Sequence, residues 1–241
     1  MKIFVPKEIN GEKRVAASPD TVKKLVSLGH SVVIESAAGN QSNFGDGNYS
    51  EAGASIASEA ASADIILKVG KPSTDEISSY KEGSILIAML DPFNNRELVD
   101  QMRKKNITAF AMEWMPRITR AQSMDVLSSQ SNLAGYKAVI QASNSFNKAM
   151  PMMMTAAGTI APAKVMVFGA GVAGLQAIAT AKRLGAVVSA TDVRLAAKEQ
   201  VESLGGKFVI IESDELEDAE TAGGYAKEMS EDFKRQQAEL I

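Results

Sequence analysis

Val165-Met166-Val167-Phe168-Gly169-Ala170-Gly171-Val172-Ala173-Gly174 is the stretch that decides the fold. Four apolar residues in a row, two of them β-branched, suit a strand buried on both faces. Three glycines follow at once in the spacing G-x-G-x-x-G, and a helix is predicted through Leu175, Ile178 and Leu184, stopping at Gly185. Residues 186–191 read as the next strand, and Asp192 stands at its end, 18 residues beyond Gly174. Glycine fingerprints alone are common. A fingerprint placed between a strand and a helix, with a carboxylate closing the following strand, is the context a dinucleotide-binding βαβ unit requires.

Each position has a mechanical task. Gly169 makes the tight turn, Gly171 lets backbone approach a pyrophosphate, and Gly174 lets the helix pack closely on the sheet. The pyrophosphate is expected over the loop Gly169, Ala170, Gly171, Val172 and Gly174, where free N–H groups meet the positive end of the helix. Asp192, with Val193 and Arg194 beside it, is expected at the adenosine ribose. A carboxylate there accepts from both ribose hydroxyls and repels a 2′-phosphate, which favours NAD(H) over NADP(H). Arg194 is a residue type that accepts such a phosphate, so the residues alone leave NADP(H) open.

Downstream, residues 196–204 predict a helix closed by Gly205-Gly206, and residues 207–211 a third strand. An acidic loop (212–220), Thr221-Ala222-Gly223-Gly224-Tyr225 and a polar helix with Glu231 and Arg235 at i,i+4 complete the chain. Only three strands are read after residue 163, half of the usual six. The expectation is a Rossmann-type domain over 163–241 that is truncated at its C-terminus, being either part of a longer product or completed by another chain. It would leave residues 165–168 as an exposed apolar sheet edge.

Upstream, short apolar runs at residues 3–5, 31–35, 64–69, 84–90 and 107–113 alternate with helical stretches. Ser18-Pro19-Asp20 supplies an N-cap with proline at the first helical position, for a helix ending at Gly29, and residues 94–105 read as an amphipathic helix. Strands separated by helices imply right-handed crossovers and a mostly parallel sheet. Residues 1–125 are therefore expected to form a doubly wound α/β domain. A long helical segment (122–150) and a loop rich in Met, Ala, Thr and Gly (152–162) read as a connector, which places the interdomain link at 126–162.

Composition bounds the function. Twenty-six basic against 29 acidic residues leave a net charge of −3 with no basic face, which argues against nucleic acid as a partner. The chain has no cysteine and a single histidine, His30, so thiolate chemistry, a histidine metal site and a histidine triad are not expected. No stretch reaches the roughly 18 to 20 apolar residues of a membrane helix, and the start lacks a secretory signal.

Longer blocks carry a resemblance. Met115-Pro116-Arg117-Ile118-Thr119-Arg120-Ala121-Gln122-Ser123-Met124-Asp125, with residues 128–136, 151–158, 199–208 and 221–229, resembles the NAD(H)-binding domains of proton-translocating nicotinamide nucleotide transhydrogenase alpha subunits. That family is related to alanine dehydrogenase, and the likeness runs from Pro6-Lys7-Glu8 to the C-terminus. It implies a domain that presents NADH for direct hydride transfer to NADP+ on a partner NADP(H)-binding beta subunit or domain. It implies also a membrane domain that couples the transfer to proton translocation, a homodimer, and a peripheral place on the cytoplasmic side of a bacterial inner membrane.

The resemblance assigns Arg117, Gln122, Asp125 and Ser128 to a loop near the nicotinamide. On spacing alone, Arg117 and Asp125 read as a solvated pair at a helix start. It assigns Tyr225, beside Gly223-Gly224, to a mobile loop that closes over nucleotide. Arg14 and Lys68 resemble the substrate-binding residues of alanine dehydrogenase, the rival reading. The catalytic histidine of that relative should fall within residues 86–91, where this chain has none, so imine or oxo-acid reduction has no evident proton donor. A third reading is a truncated, non-catalytic remnant.

Overall fold

A computed structural model describes every residue except 58, 59, 61, 117, 212 and 214–226. Its contacts divide the chain into two compact units, Met1–Asp125 and Val126–Ile241.

The first unit is built on six parallel strands: β1 (Lys2–Val5), β2 (Ser31–Ile34), β3 (Ser55–Ile56), β4 (Ile65–Leu67), β5 (Ile85–Ala88) and β6 (Thr108–Ala111). They lie in the order β3-β2-β1-β4-β5-β6, with Ile3 level with both Val32 and Ile65. Helices α1 (Pro19–Ser27), α2 (Asp46–Glu51), α3 (Thr74–Ser79) and α4 (Arg96–Lys104) fill the crossovers. Side-chain alternation along β1 shows why both faces are covered. Ile3 and Val5 join Val22 of α1 and Tyr49 of α2 in one core, while Phe4 joins Ile77 of α3 and Met102 of α4 in the other. This is a doubly wound sheet whose order reverses between β1 and β4.

Local chemistry explains the helix starts. Ser18 caps α1, accepting from the Thr21 N–H at 3.3 Å. Ser73 and Glu76 form a reciprocal capping box on α3. Lys105 closes the other end of α3, donating to the carbonyls of Ile77, Ser78 and Tyr80. α2, α3 and the two-residue β3 were not anticipated. They are short, and their turn-forming residues hide the periodicity a longer element displays.

The second unit opens with α5 (Val126–Ser145), followed by β7 (Met153–Thr155), β8 (Gly158–Ile160), β9 (Lys164–Phe168), α6 (Val172–Arg183), β10 (Val187–Thr191), α7 (Ala197–Ser203), β11 (Lys207–Phe208) and α8 (Glu231–Leu240). β9, β10 and β11 form a parallel sheet in the order β11-β10-β9. Among the described strands β9 pairs with β10 alone, and Phe168 at its end is 67% exposed. Ile178, Ala181, Val188, Ala190 and Val201 form the core, with Val139 of α5.

Four expectations change. The helical segment expected over 122–150 begins only at Val126, because Thr119–Met124 is a 3-10 turn, and it ends at Ser145. The segment 152–162, expected as a loop, contains the antiparallel hairpin β7–β8. The third strand, expected over 207–211, ends at Phe208. In α8 the pairs that form are Lys234 with Glu231 and Arg235 with Asp232, so the expected Glu231–Arg235 pair is absent: Arg235 turns to the acidic residue one turn back at i−3.

Candidate functional site

The fingerprint loop follows from the β9–β10 ladder. Phe168 lies level with Thr191, and the Gly169 N–H continues the ladder by donating to the Thr191 carbonyl at 2.8 Å. Gly169 then takes φ +86°, a conformation L side chains rarely adopt. A Cβ on Gly174 would lie 1.8 Å from the Gly169 carbonyl oxygen, so that position admits only glycine while the turn keeps this shape. Gly171 is the N-cap of α6 and offers no side chain to its first N–H groups. Those donors lie at the positive helix end with open space over Gly171, an arrangement that fits a pyrophosphate.

Asp192 closes the other side of the loop. Its Oδ2 accepts from the buried Ala170 N–H at 2.7 Å and from Arg194 Nη2 at 2.9 Å. Its Oδ1 accepts from the Arg194 backbone N–H at 2.9 Å and Arg194 Nε at 3.0 Å. Burial works against ionisation here, but the Arg194 guanidinium and the two backbone donors outweigh it and hold the carboxyl below the usual aspartate range. Val193 between them is half-buried. Gln237 of α8 donates to Thr191 Oγ1 at 3.0 Å, which ties the C-terminal helix to the end of β10.

Gln122 is exposed in the 3-10 turn of the first unit, and its carbonyl accepts from the Asp125 N–H at 3.3 Å. Asp125 is half-buried at the end of that turn, and Ser128 sits in the first turn of α5 in the second unit. Arg117 and Tyr225 lie outside the described residues.

A second polar cluster, not foreseen as a unit, lies at the carboxyl ends of β1 and β4. Lys68 is fully buried, 2.6 Å from Glu76 and 3.6 Å from Glu8. Glu8 also accepts from the N–H groups of Val69 at 2.6 Å and Gly70 at 3.2 Å. Arg14 is gripped by Glu12 through Nε at 2.9 Å and Nη2 at 2.6 Å, and this contact holds the Glu12 carboxyl down at about 2.

Sequence patterning also missed Gly135. Its Cβ would lie 2.1 Å from the Ala173 carbonyl oxygen, so α5 crosses α6 against the first turn that carries the fingerprint. A glycine inside a predicted helix was the available signal.

Comparison with known proteins places this architecture. The family model described as alanine dehydrogenase/PNT, N-terminal domain, matches residues 4–134, and the corresponding C-terminal domain model matches residues 138–239. The chain belongs to the alanine dehydrogenase/PNT family. It is 59% identical over 251 aligned positions to an NAD(P) transhydrogenase alpha-subunit polypeptide of Rhodospirillum rubrum, covering 100% of this chain and 65% of that protein. It is 35% identical to alanine dehydrogenase 2 of Staphylococcus aureus, covering 90% of this chain and 60% of that one. The crystal structure of transhydrogenase from Sinorhizobium meliloti superposes with a TM-score of 0.85 at 59% identity, over 87% of this chain and 64% of that one. The chain thus spans a little under two thirds of each of these three relatives, and as a family member it carries both parts of the α/β pattern.

Proposed function

We propose that this chain is the NAD(H)-binding component of a proton-translocating transhydrogenase, presenting NADH for direct hydride transfer to NADP+ on a partner subunit. The observation that carries the reading is the fingerprint loop with Asp192 fixed beside it by the Ala170 N–H. The higher identity to the transhydrogenase alpha subunit than to alanine dehydrogenase supports this branch. The dinucleotide supplies the hydride; the chain binds it, orients it and limits water around it.

In this reading Gly169, Ala170, Gly171, Val172 and Gly174 hold the pyrophosphate, and Asp192, Val193 and Arg194 surround the adenosine ribose. Gln122, Asp125 and Ser128, with Arg117 and Tyr225, serve the nicotinamide end. The working protein is a homodimer docked to an NADP(H)-binding subunit and a membrane domain, on the cytoplasmic side of the inner membrane. No helix among the described residues is long and apolar enough to cross a membrane. An amino-acid dehydrogenase has less support, because Arg14 and Lys68 are engaged by Glu12, Glu76 and Glu8 and residues 86–91 lack a histidine.

Fluorescence titration tests the cofactor. NADH binds more tightly than NADPH, and Asp192→Ala weakens NADH about 10- to 100-fold, the value of a charge-assisted hydrogen bond. Equal affinities for the two nucleotides overturn the assignment. Adding the NADP(H)-binding partner then restores hydride transfer to an NAD analogue; turnover of pyruvate with ammonia in its absence selects the dehydrogenase instead.

A further inference from the structure

An ionised carboxylate offers about four acceptor positions, and at Asp192 the chain itself fills them. Two donors are backbone groups, Ala170 N–H on Oδ2 and Arg194 N–H on Oδ1, set by the glycine loop and the β10–α7 turn. The other two belong to one guanidinium and fall one on each oxygen, Nε on Oδ1 and Nη2 on Oδ2. A ribose cis-diol also presents two donors on adjacent atoms. It cannot hydrogen-bond to this carboxylate until the guanidinium gives up at least one of its two positions.

We propose that the Arg194 side chain is a resident stand-in for the adenosine ribose diol, and that nucleotide binding is a donor exchange on Asp192 in which the diol replaces the guanidinium. The proposal rests on the dinucleotide reading above and deepens it: Arg194 becomes the positioning residue that sets affinity and sugar discrimination.

The physical case has two parts. In the empty site Asp192 is nearly buried, its side chain 5% exposed, and a buried carboxylate stripped of partners is costly. Arg194 meets that need and keeps the rotamer that the ribose will use. The two backbone donors remain throughout, so the carboxylate need not move when the partner changes. The Arg194 side chain is 19% exposed, so it reaches solvent and has a route off the carboxylate. The consequence is that part of the ribose–Asp192 interaction is consumed in separating the ion pair. Wild-type affinity therefore responds only weakly to loss of a ribose hydroxyl.

Calorimetric titration of the full chain with NADH and with its analogue lacking the adenosine 2′-hydroxyl tests this. The quantity read is the ratio of the two affinities, in which any general field effect of the arginine charge on the phosphates cancels. Arg194→Ala raises the preference for NADH over the 2′-deoxy analogue by about 5-fold, the order of a partly exposed ion pair. Arg194→Gln, which keeps a neutral donor, falls between. An unchanged or smaller ratio in Arg194→Ala overturns the exchange.

Asp192→Asn separates the two levels of the argument. If it leaves both NADH affinity and the NADH to 2′-deoxy ratio unchanged, Asp192 does not hold the ribose, and the ribose assignment fails with the exchange. If it weakens binding while Arg194→Ala leaves the ratio unchanged, the exchange alone fails. Should the Arg194 variants not fold, the wild type still decides. The Nε–Hε resonance of Arg194 in NMR moves toward the position of a free guanidinium on saturation with NADH. A resonance that stays in place overturns the proposal.

Discussion

Asp192 is held by opposing effects, burial against it and three donor groups for it, and their balance has a sign that pH reveals. Its carboxyl lies lower in the folded chain than in an unfolded one. The ionised form therefore favours the folded state above the ordinary aspartate range near pH 3.9, and this contribution is lost as pH falls toward the depressed native value. The melting temperature of the wild type is expected to exceed that of Asp192→Asn at pH 7. The gap narrows below about pH 4; a gap constant from neutral pH to pH 3 would show that the carboxylate is not preferentially ionised in the native state. At this scale much was legible. Gly169 and Gly174 are read directly, because one takes a left-handed φ and the other leaves no room for a Cβ, while Gly171 has an ordinary φ and open space around it. The Ala170 N–H on Asp192 was invisible, since alanine carries no signal for where its amide points. Arg194 was ambiguous, because the same side chain suits a 2′-phosphate and a carboxylate, and only geometry shows which it holds.

Among the elements, the strands were legible where apolar runs are continuous, as in β5 and β9, and lost where two residues suffice, as in β3. α5 shows the harder case. Its apolar residues do not gather on one face, so its place is set by a glycine rather than a stripe. Gly135→Ala puts a methyl group against the Ala173 carbonyl and should cost about 1–3 kcal/mol in urea unfolding, because the first turn of α6 cannot yield without moving the fingerprint. An unchanged urea midpoint would mean that α5 does not approach this closely. The β4–α3 connection makes a second prediction. Lys68→Met leaves Glu8 buried with only two backbone donors and Glu76 without its cation, a loss of about 3–5 kcal/mol. Glu76→Gln should cost about 1 kcal/mol, since Glu76 is partly exposed and Lys68 retains Glu8. If the two variants rank in the opposite order by denaturant titration, the cluster is held through Glu76 rather than through Lys68.

For the whole molecule, the sequence pattern conveyed two α/β sheets but not how the stretch between them is used. Residues 126–162 read as a connector because a long helix and a methionine-rich segment resemble a link, whereas α5 packs on α6 and the methionines form β7. That hairpin poses the remaining question. Two-stranded hairpins are marginal in water by themselves, and every residue of β7 and β8 is exposed, Met154 at 73%. Met153 and its cross-strand partner Ile160 are exposed on the opposite face of the hairpin, and Met152 just before it is exposed as well. Burying such apolar surface against a second copy would stabilise both the hairpin and the proposed homodimer, since a two-fold interface meets itself and needs no complementary partner. Sedimentation equilibrium should find the wild type as a dimer and Met154→Asp shifted toward monomer by about 10-fold or more in dissociation constant, the scale of a charge placed in an apolar contact. NADH affinity per chain is expected to hold, because Met154 is not among the residues that form the fingerprint loop. A Met154→Asp variant that dimerises as tightly as the wild type would move the interface off the hairpin, and the edge of β9 that is unpaired among the described strands, ending at exposed Phe168, would be the next surface to test by Phe168→Lys.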